Sequence, residues 1–305
     1  MGGHRSSKEA RESYLPVSAI IPVAGRTELL VEAVRSILQG TALPAELIIV
    51  LSGTPAQKKR SRLAIAACPD FADRVRVLAC DGPGPAAARN QGVTASGQPW
   101  TAFLDSDDLW TPQHLEQQWR YLSRRPHLKA CHTRELWIRH GRELAVPRHL
   151  QPRTGRFLRD SMRTCLISAS SLLIQRQFFL ELGGFDESFL VCEDFELWLR
   201  LLSRSPLGLV PEALTVKRAG DWKQLSSSRH SLDRERIRAI LKLYPVERWS
   251  ESERQQARLA VAEKLEILVR GARKHGSLAG LTEIASMARD ILGPTVLPEE
   301  LRRPA

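Results

Sequence analysis

Cysteine is scarce. The five present, at positions 68, 80, 131, 165 and 192, are odd in number and scattered, and no two form a Cys-x-x-Cys pair. That pattern excludes a disulfide framework and a structural zinc site. No run of eighteen apolar residues occurs, so no transmembrane helix is expected. Met1 to Pro16 is polar and charged and lacks the apolar core of a signal peptide. These absences point to a reducing cytoplasm and leave peripheral contact with the inner face of a membrane open. Aromatic residues make up only 6% and no nucleic-acid reading motif is present, so nucleic acid is not an expected partner despite a net charge of +11. The eight histidines show no metal-ligand spacing, and there is no internal repeat.

What the chain does contain is the composition of a globular protein, 305 residues with 43% hydrophobic and 26% charged content. Residues 1–15 read as a flexible leader. Val17 to Val23 and Glu46 to Leu51 are short apolar runs of the kind buried on both faces of a parallel sheet. Val75 to Leu78 and Trp100 to Leu104 complete four strands. The segments between them carry helical periodicity: Leu29, Leu30, Ala33, Val34, Ile37 and Leu38 first, then Pro55 to Cys68, then Ala86 to Ala95. A helix is expected to start at Thr111-Pro112, with proline at its first position. This alternation predicts an α/β fold with a mixed, mainly parallel sheet flanked by helices. Ala130 to Ile138, Ser168 to Ile174 and Gly208 to Val216 read as further strands, and Gln177 to Leu182 and a segment from Glu193 as helices. From about Leu232 the pattern is helical and basic, which sets a core domain over residues 16–230 and a helical C-terminal extension over 231–305.

The candidate chemistry begins at Phe103-Leu104-Asp105-Ser106-Asp107-Asp108-Leu109-Trp110, a buried strand that ends in three carboxylates. Such crowding is repulsive unless a cation lies between, and oxygen ligands suit hard ions such as Mg²⁺ or Mn²⁺. The plainer alternative is a strand-to-helix turn in which an aspartate caps a helix. Ligands of parallel sheets gather beyond the carboxyl ends of their strands, where this cluster falls. Asp105 and Asp107 can take different jobs, one on metal and one on a ribose hydroxyl, with Asp107 the expected metal ligand; Asp108 caps or holds the loop. Glu193-Asp194 opens a helix: the acids either complement the helix dipole or Asp194 acts as a general base. Arg89 orients a strand-end carboxylate or contacts phosphate, the alternative being a solvated helix residue. Lys217-Arg218 follows a late strand and can clamp a diphosphate or form a surface turn. The basic helices after Leu232 either dock on anionic lipid, or pack as a helical cap or make a dimer contact.

Taken in order, Ser18-Ala19-Ile20-Ile21-Pro22-Val23, Ala87-Ala88-Arg89-Asn90, the Asp-x-Asp phrase around Asp105 and Asp107, Gly183-Gly184-Phe185-Asp186-Glu187 and Glu193-Asp194-Phe195 through Arg200 resemble the family 2 glycosyltransferases of GT-A fold. The resemblance spans roughly residues 17–225. It implies transfer of a sugar from a nucleotide-diphosphate donor to a hydroxyl of a glycan or lipid-linked acceptor, with inversion, as in polysaccharide biosynthesis. It further implies a donor site made by Pro22, Val23, Arg26, Ser52, Arg89, Asp105 and Arg218, a Mn²⁺ or Mg²⁺ ion on Asp107 and Asp105, and Asp194 as the base. Two features depart from the family. Leu51-Ser52-Gly53-Thr54 stands where relatives carry an acidic pair that reads the nucleobase, and Arg218-Ala219-Gly220-Asp221-Trp222 lacks their histidine. Those departures motivate an alternative, a non-catalytic relative that binds a nucleotide sugar or a protein partner.

Overall fold

The computed structural model describes residues 14–71, 74–219, 232–275 and 279–302. The expected leader lies outside the described residues as far as position 13, but Tyr14 and Leu15 already belong to the first strand. Strands β1 (Tyr14–Val23), β2 (Leu43–Leu51), β3 (Val75–Ala79) and β4 (Trp100–Phe103) run parallel in the spatial order β3-β2-β1-β4. Parallel neighbours require crossovers, and α1 (Thr27–Leu38), α2 (Pro55–Ala66) and α3 (Gly84–Ala95) supply them.

The apolar run of β1 is continuous because both its faces are covered. Ala19, Ile21 and Val23 join one core with Leu30, Val34 and Ile37 of α1, whereas Ile20 points into the opposite core with Ala86, Ala88 and Val93 of α3. Small residues let α3 lie tight against the sheet. A Cβ at Gly92 would stand 2.5 Å from Cγ2 of Ile20.

The second half of the sheet is mixed. Leu109 and Trp110 form a short strand of their own, β5, and α4 (His114–Ser123) follows. Pro112 stands outside this helix rather than at its first position, since its carbonyl oxygen accepts from the Thr41 N–H at 2.8 Å. Strand β6 (Ala130–Arg139) turns through His140 and Gly141, both at positive φ (48° and 72°), into β7 (Arg142–Leu144). Two residues of that conformation make the tight hairpin turn whose twist matches its strands. Helix α5 (Leu158–Ser161), strand β8 (Leu172–Gln175), α6 (Arg176–Glu181), α7 (Glu193–Arg204) and β9 (Gly208–Ala219) complete this half. The sheet continues β4-β8-β6-β9-β5, with β8 antiparallel to both neighbours and β9 parallel to β6. The strand expected over 168–174 is shorter than its apolar pattern suggests. Residues 169–171 form a 3₁₀ turn whose polar groups serve the acidic cluster instead.

The chain ends in α8 (Leu232–Leu243), α9 (Glu251–His275), α10 (Thr282–Leu292) and α11 (Glu299–Arg302). Ile237, Ile240, Leu241 and Leu243 of α8 enter the same core as α3 and α7. Its cations face carboxylates of the chain: Arg234 meets Glu283, Arg236 meets Asp233, Arg238 meets Glu235, and Lys242 meets Asp186 and Glu196. Of the roles open to this basic helix, packing as a cap is the one these contacts describe. No helix among the described residues is long and apolar enough to cross a membrane.

Candidate active site

The acidic cluster occupies a turn just past β4. The turn is closed by the Asp108 N–H donating to the Asp105 carbonyl at 2.9 Å. Ser170 knits it from behind: its Oγ accepts from the Asp105 N–H at 3.1 Å and donates to Asp108 Oδ2 at 2.7 Å. The Trp110 indole N–H donates to the Ser170 carbonyl at 2.8 Å. Asp108 is buried, and its carboxylate accepts from Ser170 Oγ and from the Arg218 N–H at 3.3 Å.

Each carboxylate has a different environment. Burial works to push Asp105 up, but Arg89 above all, helped by Lys217 and Arg26, holds it below the ordinary carboxylate range. Asp107 pairs with Arg26, yet burial and then the neighbouring Asp105 charge push it above that range. Asp108 is pushed up to about 7 by burial, with Asp105 and Asp107 adding to the effect against Lys217. Burial is thus the main force raising Asp107 and Asp108, and the nearby cations oppose it. The carboxylates of Asp105 and Asp107 are oxygen donors of the type that hard divalent ions take. Among the described residues no group of three His, Cys, Asp or Glu side chains is arranged to hold a metal ion.

Arg89 is the hub of the second layer. Only 5% of its side chain is exposed, and it donates to Asp105 at 2.6 Å and to Glu193 at 2.8 Å. Its guanidinium also stacks over Phe185, 5.1 Å from the ring centroid. Desolvation opposes its charge, but the two acids more than compensate. The adjacent Asn90 explains why Ala-Ala-Arg-Asn and Gly-Gly-Phe occur together. Its amide donates to the Phe185 carbonyl at 2.8 Å and its oxygen accepts from the Phe185 N–H at 2.9 Å. Gly184, at φ 69°, must lack a side chain here, because a Cβ would lie 2.8 Å from the Asn90 oxygen. Phe185 in turn packs edge-on to Phe103 and Trp198, the last residues before the acidic turn and inside α7 respectively.

Helix α7 brings Asp194 to the same place. Cys192 caps it in the left-handed conformation (φ 63°), a strained choice for a residue with a side chain. Asp194 Oδ1 accepts from the Phe195 N–H at 2.7 Å, and the Cys165 thiol donates to Oδ2 at 3.6 Å. Burial, reinforced by the Asp194 charge, pushes the Cys165 thiol well up, so it stands as a neutral donor.

These groups line one cleft of about 890 Å³, within the range of small-molecule sites. Pro22, Val23, Arg26, Ser52, Arg89, Asp105, Asp107 and Asp194 all face it. Ser52 contributes its wall rather than a free hydroxyl, since Oγ donates to the Val23 carbonyl at 3.0 Å. Arg218, expected at the donor site, is not among the residues that line this cleft. Strand β9 runs through Ala219, and neighbouring residues of a strand face opposite ways. Lys217 therefore faces the cleft, while Arg218 reaches Glu32 of α1 and donates to the Asp107 carbonyl at 2.6 Å, bracing the turn from outside. Lys217 keeps its charge: burial opposes it, but Asp108, Glu135, Asp105 and Asp194 hold its pKa above the ordinary range. Asp221 and Trp222 lie outside the described residues.

Sequence reasoning passed over four other contributors. Lys58 and Asp81, paired with each other, line the cleft beside Ser52, and α8 contributes Leu232 and Arg236. Pairings between distant segments of this kind leave no periodic trace in the sequence.

Comparison with known proteins fits this geometry. The family model described as Glycosyl transferase family 2 matches residues 18–181. An uncharacterized glycosyltransferase of Rickettsia felis is 29% identical over 202 residues, 66% of this chain and 33% of that protein. One from Rickettsia typhi is 24% identical over 235 residues, 73% of this chain and 70% of that protein. The chain thus spans about a third of the length of the first relatives it matches. The crystal structure of S. aureus TarS 1-349 in complex with UDP-GlcNAc has a TM-score of 0.72 at 14% identity, over 93% of this chain and 82% of that one. The mixed, mainly parallel sheet between helices is the expected GT-A architecture.

Proposed function

The chain belongs to glycosyl transferase family 2, and from that premise we propose that it moves a sugar from a nucleotide-diphosphate donor to an acceptor hydroxyl with inversion. One observation carries the reading: a single cleft gathers the acidic turn, five cations (Arg26, Lys58, Arg89, Lys217 and Arg236) and the Asp194 carboxylate on a separate helix. The nucleoside lies along Pro22, Val23 and Ser52, where Lys58 and Asp81 offer polar contacts in place of the family's acidic pair. Its diphosphate lies toward Asp107, Arg26 and Lys217. Asp194 takes the proton from the acceptor hydroxyl. The oxygen then bonds to the anomeric carbon, and the bond to phosphate breaks with its electron pair leaving on the diphosphate. One displacement inverts the configuration. Positioned bases of this type contribute on the order of 10²–10⁴-fold.

The cations act on the leaving group. Arg26 and Lys217 stabilise the charge that grows on the diphosphate, and Arg89 keeps Asp105 ionised and oriented. Asp107, with Asp105, would hold Mg²⁺ or Mn²⁺, which would add further neutralisation of the phosphates. The acceptor is a glycan or a lipid-linked hydroxyl, met on the cytoplasmic side where nucleotide sugars are used.

The test is nucleotide release from a panel of UDP-, GDP-, dTDP- and CDP-sugars, with Mg²⁺, with Mn²⁺ and with chelator, for the wild type, Asp107→Ala and Asp194→Asn. Release from one donor that is metal-dependent and lost in Asp107→Ala supports the reading. Tight nucleotide binding with no release, even when acceptor glycans are added, would favour the non-catalytic alternative instead.

A further inference from the structure

A second cavity, of about 200 Å³, opens beside the β6–β7 hairpin, with Glu135, Trp137, Glu143, Leu144 and Gln151 among its walls. Its position relative to the main cleft follows from strand register. Trp137 is paired with Leu144 across the hairpin and with Lys217 across the parallel β6–β9 ladder. Residues paired in this way share a face of the sheet, as do residues two apart on one strand. Trp137 and Glu135 therefore lie on the same face as Lys217, which lines the main cleft. The segment that follows α5 joins the two cavities from the other side: Cys165 borders the main cleft and touches Asp194, while Leu166 and Ser171 border the smaller cavity.

The smaller cavity has a definite chemistry. Its apolar side is Trp137, half-buried, with Leu144, which is 39% exposed. The indole is fixed in plane because its N–H donates to Glu135 Oε2 at 2.7 Å. Around this apolar surface stand Glu135, Glu143, Arg134 and Gln151, charges of both signs and an amide. A sugar ring offers the complement, an apolar C–H face for the indole and hydroxyl edges for the polar rim. At about 30 Å³ per water the space holds roughly six or seven waters, the bulk of a single hexose. A nucleotide would not fit, and the mixed charges give an anion no advantage.

We propose that this cavity is an acceptor subsite, which seats one neutral monosaccharide unit of the acceptor against Trp137 and Leu144 beside the hydroxyl presented to Asp194. The assignment rests on the glycosyl-transfer reading above and adds where, and through which chemistry, the acceptor is held.

Saturation-transfer NMR with a panel of methyl hexosides, in the presence of UDP, tests it. The wild type is expected to show saturation transfer to at least one methyl glycoside at millimolar concentration. In Trp137→Ala the signal should fall at least tenfold, with acceptor-independent nucleotide release unchanged. Leu144→Asp, which alters an exposed side chain and little packing, should weaken the same signal and guards against misfolding of the tryptophan variant. Binding should persist in Asp107→Ala. No transfer to any hexoside in the wild type, or equal transfer in both cavity variants, would overturn the subsite. Loss of nucleotide release in the wild type, with glycoside binding intact, would count against the transferase reading and not against the cavity.

Discussion

Replacing Arg89 by methionine is the sharpest test of how this site is held together. Methionine keeps much of the aliphatic volume over Phe185 but leaves Asp105 and Glu193 without the cation that bridges them at 2.6 and 2.8 Å. Removing one member of a buried ion pair costs about 3–5 kcal/mol, because the remaining charge is stranded. That is a large share of the roughly 5–15 kcal/mol that stabilises a typical domain. The loss should also depend on pH, in a direction that can be derived. Glu193 already sits above its ordinary value through burial, even with Arg89 present, and Asp105 is held below it mainly by Arg89. Without the arginine both carboxyls rise in the folded state above their unfolded values of 3.8 and 4.5. The folded protein then retains protons that the unfolded chain gives up, so stability falls as pH climbs through those values. Urea unfolding of the wild type and Arg89→Met at pH 5 and pH 8 measures this. The deficit should be larger at pH 8, and Arg89→Lys, which can reach one acid but not both, should fall between. A deficit below about 1 kcal/mol, or one equal at the two pH values, would refute the argument.

Three further outcomes are expected. Cys165→Ala removes the thiol that donates to Asp194 at 3.6 Å, so kcat should fall while the donor KM stays unchanged; an unchanged kcat would show that the thiol does not position the carboxylate. His132, which binds the Arg153 carbonyl at 2.7 Å, is kept neutral by burial down to about 4 from an ordinary 6.5. Stability should therefore drop by about 3 kcal/mol as pH falls across that window, and His132→Gln should flatten the slope in unfolding titrations. Gly92→Ala places a Cβ 2.5 Å from Ile20 and should cost about 1–3 kcal/mol in denaturant unfolding through overpacking; a neutral result would mean that α3 shifts freely on the sheet.

The first half of the fold was legible because each element announces itself over many residues. Apolar runs at Ile20, Ile48 and Val77 alternate with helical spacing at Leu30, Val34 and Ile37, and burial of both sheet faces requires that pattern. Short elements escaped. Leu109-Trp110 is too brief to show a period, and the β6–β7 turn at His140-Gly141 does not carry the usual Asn-Gly signal. The acidic turn and Asp194 were legible as motifs, but their partners were not. Nothing local at position 170 says that this serine will bind Asp108, and the choice between Lys217 and Arg218 depends on how far β9 extends. Likewise, α8 reads as a basic amphipathic helix, yet its neighbours decide that its cations meet acids of the same chain.

Cys192 has a consequence for anyone selecting variants of this chain. Its left-handed backbone costs about 1–2 kcal/mol for a residue with a Cβ, whereas glycine would adopt it freely and lose about 0.5–1 kcal/mol of that gain to the entropy of the unfolded chain. Against that relief stands the loss of a buried side chain that packs in the core, so heat tolerance gives glycine little advantage at this position. The same exchange would loosen the first turn of the helix that aims Asp194. Thermal selection and catalytic selection should therefore both keep a side chain at this codon, and a library scored on both would retain it.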